Sequence, residues 1–351
     1  VPPGINMGKD GGVMHNREER ILLGHGSGGR LSHDLIKNIM LPAFANSALA
    51  ELHDGARLAI GGTQLAFTTD SYVVKPRFFP GGDIGKLAVC GTVNDLAMCG
   101  ARPLYLSAGF ILEEGLPVAE LKHIVASMRE TALAAGVDIV TGDTKVVEKG
   151  AVDGIYINTA GIGIMLPRVD ITAKRVKPGQ DIIVSGPLGD HAVAVMSERH
   201  GLTLPERVIS DCAPLNKLIE AMLAEVPQIA MLRDPTRGGL ATTLNEIAAD
   251  AGVGMILEES LMPVRPEVLA VCEILGFDPL YLANEGKVIA IVEKEYSEKV
   301  LTIMKQHEFS AAARIIGTVT NQAAGQVALR TTVGGLRLLD MLSGEQLPRI
   351  C

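Results

Sequence analysis

Along the chain, short apolar runs alternate with stretches of helical periodicity, and Gly, Pro or Asp punctuates each change. LAFTTDSYVV reads as a strand, and Pro117 opens a helix whose Leu121, Ile124, Val125 and Met128 share one face. VDIVTGDTK is a further strand ending in a Gly-Asp turn, and Ile155 to Met165 alternates in the β manner, closing a first half near Pro167. The second half restarts with DIIVSGPLGDHAVAVM, which reads as strand, tight Gly/Pro turn and helix. A helix around Leu215 to Leu223, the strand-like IAMLRD and a helix after Gly238 follow. Residues 280 to 292, 313 to 319 and 327 to 339 supply further strands, with a helix near 297 to 306. This alternation predicts two α/β domains, 21–167 and 168–340. Residues 1–20 are polar, Gly-rich and aperiodic, so a mobile extension is expected there. SGEQLPRIC carries Gly344 and Pro348 and has no apolar period, so 341–351 is expected to be a flexible tail.

Composition narrows the class. A chain of 351 residues is too long for one ordinary core and suits two domains of middling size. With 47% hydrophobic and 21% charged residues in broken runs, it reads as a soluble globular protein. No stretch reaches the roughly 18 to 20 apolar residues of a membrane helix, and the opening segment lacks a signal-peptide core, so a cytoplasmic location without membrane contact is expected. A net charge of −8 without a Lys/Arg run gives no footprint for nucleic acid, and with no Trp the stacking platforms of single-strand binders are missing. The five cysteines, at 90, 99, 212, 272 and 351, show no CxxC and no zinc spacing, and their odd count predicts reduced thiols.

The candidate chemistry is acidic. Asp70, Asp95, Asp143 and Asp234 sit in TTD, VND, TGD and LRD, where apolar elements give way to turns. Such positions suit Mg²⁺ with a nucleotide, because hard cations take carboxylate oxygens and phosphates at the carboxyl ends of strands. Each of them alone could equally be a helix cap or a turn residue. GHGSGG, with Gly26, Ser27, Gly28 and Gly29, and DPTRGGL, with Thr236, Arg237 and Gly238, could wrap phosphates through backbone N–H groups. Only Ile21 to Leu23 precede the first, too little for a dinucleotide-binding strand, and PGGDIGKL lacks the first Gly and the Ser/Thr of a P-loop. Lys145 and Glu285 stand at the ends of strand-like segments, where partial burial would tune them, or they are plain solvated strand ends.

In order along the chain, GHGSGG, FTTDSYVV, FFPGGDIGKLAVCGTVNDLAMCGARP, FILEEGLP, IVTGDTKVVEKGAVD, RDPTRGGL, ANEGK and LPRIC resemble the hydrogenase maturation factor HypE family, within the PurM-like (aminoimidazole ribonucleotide synthetase) superfamily. The resemblance implies a two-domain PurM-like α/β (α+β) fold in a homodimer, with the N-terminal domain forming a β-barrel or sheet across the two-fold. It implies that ATP phosphorylates an S-carboxamide placed on Cys351 by the carbamoyltransferase HypF, and that dehydration leaves an S-cyanate for the HypC–HypD scaffold. By similarity, Asp70, Asp95 and Asp234 would hold Mg²⁺, with Asp143 as a fourth ligand or, with Thr144, beside the nucleotide. Glu285 would accept a proton and Lys145 would orient the carboxamide, or the two roles would be exchanged. Gly334, Gly335 and Gly344 are expected hinges for the tail. Two rivals stand beside this reading: a PurM-like enzyme acting on a free small substrate, such as a selenophosphate synthetase or thiamine monophosphate kinase, and a non-catalytic carrier of a modified thiol.

Overall fold

The computed structural model describes residues 20–49, 53–202 and 206–342, so the expected extension, nearly all of the expected tail and Cys351 lie outside the described residues. The first part opens with α1 (Arg30–Leu35), a π turn over Ile36–Met40 and α2 (Leu41–Phe44). Then come β1 (Ala56–Ile60), β2 (Thr63–Tyr72), the short pair β3 (Phe78–Phe79) and β4 (Gly82–Asp83), α3 (Ile84–Met98), β5 (Ala101–Glu113), α4 (Val118–Ala135), β6 (Asp138–Val147) and β7 (Ile155–Met165). A five-stranded sheet has the order β1-β2-β7-β5-β6, antiparallel except for the parallel pair β5 and β6.

Helix α3 joins the two halves. It is apolar or small on every side, the pattern of a helix buried all round, and it packs against the sheet, α4 and elements of the second half. Its start is fixed by Asp83, whose Oδ1 accepts from the N–H of Gly85 at 2.7 Å and of Lys86 at 3.2 Å. PGGDIGKL is therefore a capped helix start, in line with the failure of its P-loop pattern.

The second part contains β8 (Asp181–Val184), α5 (Asp190–His200), α6 (Asn216–Glu225), β9 (Met231–Arg233), α7 (Gly239–Ala251), β10 (Gly254–Glu258), α8 (Pro266–Leu275), β11 (Ile289–Val292), α9 (Lys294–Gln306), β12 (Arg314–Thr320), β13 (Val327–Arg330) and β14 (Leu336–Leu339). Seven strands pair in the order β14-β13-β10-β12-β8-β11-β9. DIIV and IAIV are buried at every position, because both faces of β8 and β11 are covered. Their side chains, with those of α6, α7 and α9, form the larger apolar core, to which α3 contributes Ala97 and Met98.

The two-domain PurM-like α/β expectation holds, with local departures. Val125 is exposed; the buried positions of α4 are Ile124, Met128, Thr131, Ala132 and Ala135. The strand expected over 280 to 292 shrinks to β11, since Pro279–Tyr281 is a 3₁₀ turn and Asn284 to Gly286 bond to loops instead of a strand. The strand over 327 to 339 is a hairpin: Gly334 has φ +88° and Thr331 N–H donates to Gly335 O at 2.8 Å, so these glycines close a turn instead of forming a hinge. Asp95 lies in the last turn of α3, not at the end of a strand, because the apolar run before it is a buried helix.

Candidate active site

Three of the four singled-out aspartates lie near enough to act on one another's charge, and Asp54 joins them as a fourth. Asp70 lies on β2, Asp95 on α3, Asp234 directly after β9, and Asp54 just before β1. Burial holds Asp95 well above the usual carboxylate range, and the charges of Asp234, Asp54 and Asp70 reinforce it. Its Oδ2 accepts from Thr68 Oγ1 at 3.0 Å. Burial pushes Asp234 up to about 6 against the pull of Arg233. Burial pushes Asp54 up, with Arg233 opposing and Asp234 and Glu246 adding to the rise. Carboxylates that raise one another's proton affinity in a buried place are poised for a cation.

Arg233 is the counter-charge within the protein. Its Nε lies 2.6 Å from Asp54 Oδ1 and its Nη2 lies 3.0 Å from Glu246 Oε2. His53 is buried beside it, pushed down to about 3 by burial and then by Arg233 and Arg57, so its ring is neutral. Its Nδ1 stands 3.4 Å from Cys99 Sγ.

The two glycine-rich segments meet. A Cβ on Gly28 would lie 2.7 Å from Cβ of Arg237, so GHGSGG and DPTRGGL touch where only hydrogen fits. Gly28 has φ +80° and Gly238 φ +77°, both in the left-handed region. Within the first loop Ser27 N–H donates to Gly24 O at 3.3 Å and Gly28 N–H to Ser32 Oγ at 2.9 Å. Gly26 and Ser27 are half-buried, and Ser27 Oγ donates to Gly24 O at 2.8 Å. On the second loop Thr236 is half-buried and its carbonyl accepts from Gly239 N–H at 3.0 Å. The chain after β14 borders the same place: Arg30 N–H donates to Leu342 O at 2.8 Å, and a Cβ on Gly29 would lie 2.3 Å from that oxygen.

Glu285 is buried and its Oε1 has no hydrogen-bond partner. Burial raises it well above its ordinary value, and Cys212, Asp234, Asp211 and Asp70 act in the same direction, which places its carboxyl at the edge of the aspartate cluster. Asp143, Thr144 and Lys145 are elsewhere, on the exposed edge strand β6. Lys145 Nζ pairs with Asp143 Oδ2 at 2.6 Å, and this bond, followed by one from Thr144 N–H, holds Asp143 below its ordinary value. Lys145 is 68% exposed, the solvated strand end of the two readings its position allowed.

Asp54 and Arg233 stand at the aspartate cluster and were not singled out in the sequence. HDG offered the same signal as TTD and LRD, an Asp at the junction of a turn with an apolar run. Arg233 carried none, since it reaches the cluster through its pairing with Asp54, distant in sequence. The donor set suits a hard cation, being carboxylate oxygens only, and Asp54 Oδ2 is buried without a hydrogen-bond partner. As placed, no three His, Cys, Asp or Glu side chains among the described residues converge on a single metal position.

Residues 52–165 and 177–330 match the N-terminal and C-terminal domain families of AIR synthase related proteins, so the chain is a two-domain protein of that class. Carbamoyl dehydratase HypE of Rhodobacter capsulatus is 52% identical over 341 residues, covering 96% of this chain and all of that protein. A crystal structure of the hydrogenase maturation protein HypE in complex with ATP matches with a TM-score of 0.80 and 52% identity, covering 93% of this chain and 98% of that one. A chain in the crystal structure of a HypE–HypF complex matches with a TM-score of 0.83 and 50% identity, over 88% of this chain and 99% of that one. The chain belongs to the carbamoyl dehydratase HypE family. Among the described residues no helix is long and apolar enough to cross a membrane.

Proposed function

We propose that this chain is an ATP-dependent carbamoyl dehydratase that converts an S-carboxamide on its own Cys351 into an S-cyanate, the source of the cyanide ligands of NiFe hydrogenase iron. The observation that carries this reading is the cluster of Asp54, Asp70, Asp95 and Asp234, with the carboxyl of Glu285 at its edge and the two glycine-rich loops in contact nearby. ATP with Mg²⁺ supplies phosphorylation of the carboxamide oxygen, which turns a poor leaving group into phosphate. Asp70, Asp95 and Asp234, joined by Asp54, would hold the cation together with nucleotide phosphates. Gly26 to Gly29 and Thr236 to Gly238 would cover those phosphates, with the side chain of Arg237 adding positive charge.

Glu285 is the proton acceptor of the proposal. A buried carboxyl with raised proton affinity is a stronger base than one in water, and its partnerless Oε1 leaves one oxygen for the nitrogen-bound proton. The tail supplies reach: the nine residues that follow Leu342, ending at Cys351, span up to about 30 Å when extended. Because Leu342 borders the first glycine loop, the sulfur can be delivered to the site by its own chain, which makes the reaction intramolecular.

A homodimer is part of the proposal. Phe67 and Tyr105 both oppose Ile162 across neighbouring strands, and all three are exposed, as is Ile164. A row of large apolar side chains across three strands suits cover by a second copy. Such a dimer forms the sheet or barrel of the family resemblance, and Lys145 on exposed β6 would act from within it. HypF as carbamoyl donor and HypC–HypD as acceptor complete the scheme. The test is Asp234→Asn, which is expected to lose Mg-ATP binding while keeping its fold; binding at the native affinity would overturn the assignment.

A further inference from the structure

The buried pair Asp211 and Lys287 takes no part in the chemistry above, yet the hydrogen bonds of the Asp211 carboxylate converge on Lys287 and on the turn that carries Glu285. Lys287 Nζ lies 3.0 Å from Asp211 Oδ2, with the two side chains only 5% and 3% exposed. Asp211 Oδ1 accepts from Glu285 N–H at 3.2 Å, and its Oδ2 accepts from Gly286 N–H at 3.3 Å. The approach is tight enough that a Cβ on Gly286 would lie 1.8 Å from Asp211 O. Ala213 N–H returns a bond to Glu285 O at 3.5 Å. The same short segment reaches the aspartate cluster from its other end. Asn94, the neighbour of Asp95 on α3, donates from Nδ2 to Ala213 O at 3.1 Å and accepts from Leu215 N–H at 2.8 Å.

We infer that Asp211 is a positioning residue for Glu285, with residues 211–215 acting as a spacer that sets the distance between Asp95 and Glu285, and with Lys287 as the counter-charge of the clamp. The inference rests on Glu285 being the proton acceptor. Two features make a plain packing role a poor account of the pair. Burying an ammonium and a carboxylate costs several kcal/mol that an apolar pair of similar volume avoids, so the charges need a use that an apolar pair could not serve. The free Oε1 of Glu285 also means that its backbone does much of the aiming of the side chain, and the backbone is what Asp211 grips. Burial alone would raise Asp211; Lys287 and His191 more than reverse that, so the clamp stays an anion that accepts from both amides at once. A neutral amide side chain has only one acceptor oxygen, so it cannot receive the two N–H groups on separate oxygens as the carboxylate does.

The test uses the full chain, carbamoylated on Cys351, and compares Asp211→Asn with the paired variant Asp211→Asn/Lys287→Met, in which no charge is left uncompensated. Single-turnover dehydration is followed at saturating Mg-ATP, and the ATP concentration for half-maximal rate is measured alongside. The expected result is a rate loss on the order of 10²-fold, as for a catalytic group displaced by about an ångström, with the half-maximal ATP concentration changed less than about twofold. A folded paired variant with the native rate overturns the inference, and so does one whose rate and ATP dependence deteriorate together. Glu285→Gln run beside them separates the two claims, since native turnover in that variant removes the proton acceptor itself. Hydrogen exchange on the unaltered chain is a check that needs no variant: the Glu285 and Gly286 amides should exchange far more slowly than amides of exposed turns. Exchange at the exposed-turn rate means that there is no clamp.

Discussion

Arg233 stands between Asp54 and Glu246, with Nε 2.6 Å from Asp54 Oδ1 and Nη2 3.0 Å from Glu246 Oε2. It contacts the aspartate cluster by an ion pair, and it is largely buried. Removing one partner of a buried pair leaves the other charge uncompensated, at a cost of about 3 to 5 kcal/mol. Arg233→Met should therefore lose stability of that order, seen as a lower urea midpoint with an unchanged slope. A midpoint within about 0.5 kcal/mol of native, the usual range for surface changes, would contradict the pairing.

The contact between Gly28 and Arg237 gives a binding prediction. Gly28→Ala places a Cβ 2.7 Å from Arg237 Cβ at φ +80°, where L-residues are strained by about 1 to 2 kcal/mol. The two loops must part, and ATP affinity should fall about tenfold or more, each tenfold being about 1.4 kcal/mol. Titration calorimetry with a non-hydrolysable ATP analogue and Mg²⁺ reads this directly. Unchanged affinity with an unchanged melting temperature means that the loops do not close on the nucleotide.

How much of this was legible in the sequence depended on range. Elements with their own period or punctuation, such as β7, α4 and the helix after Gly238, were read close to where they lie. α3 gives no amphipathic signal because it is buried all round, so the sequence shows Asp95 only as the end of an apolar element and not as the last turn of a helix. Asp70, Asp95 and Asp234 were found from local junctions. Asp54 carries the same local signal in HDG, whereas Arg233 meets Asp54, and Lys287 meets Asp211, only through the fold. Asn284 to Gly286 looked like strand because its neighbours are apolar, and only the bonds to Pro235 and Asp211 bend it away.

Acid should weaken the fold through His191. Its buried ring lies edge-on to Phe79, Nδ1 is 2.8 Å from Ser210 Oγ, and burial pushes it from 6.5 down to about 4 although Asp211 opposes this. Below pH 6.5 the unfolded chain takes a proton that the folded chain refuses, so this contribution to stability is present above 6.5 and lost as pH falls toward about 4, up to about 3 kcal/mol. Asp190, raised to about 6 mainly by burial against Arg265, has the opposite sign and weakens the fold as pH rises from 3.8 to about 6. Comparing the native chain with His191→Gln isolates the first effect. The difference in unfolding free energy between them should shrink by about 2 to 3 kcal/mol between pH 7.5 and pH 4.5, whereas a constant difference contradicts a neutral buried ring.

The exposed row Phe67, Ile162 and Tyr105 bears on assembly. If a second copy covers it, Ile162→Glu puts a charge in the middle of the interface and should convert dimer to monomer in sedimentation velocity without unfolding the chain. A native chain that sediments as a monomer at micromolar concentration would remove the dimer from the proposal.

The most direct test is the intact mass of the C-terminal peptide after incubation with the carbamoyltransferase and carbamoyl phosphate, taken before and after Mg-ATP is added. The expected result is a carboxamide on Cys351 that then loses about 18 mass units, the water removed on forming S-cyanate, and that keeps its mass in Glu285→Gln. A carboxamide whose mass Mg-ATP never changes in the native chain, or a Cys351 that is never carbamoylated, would contradict the account.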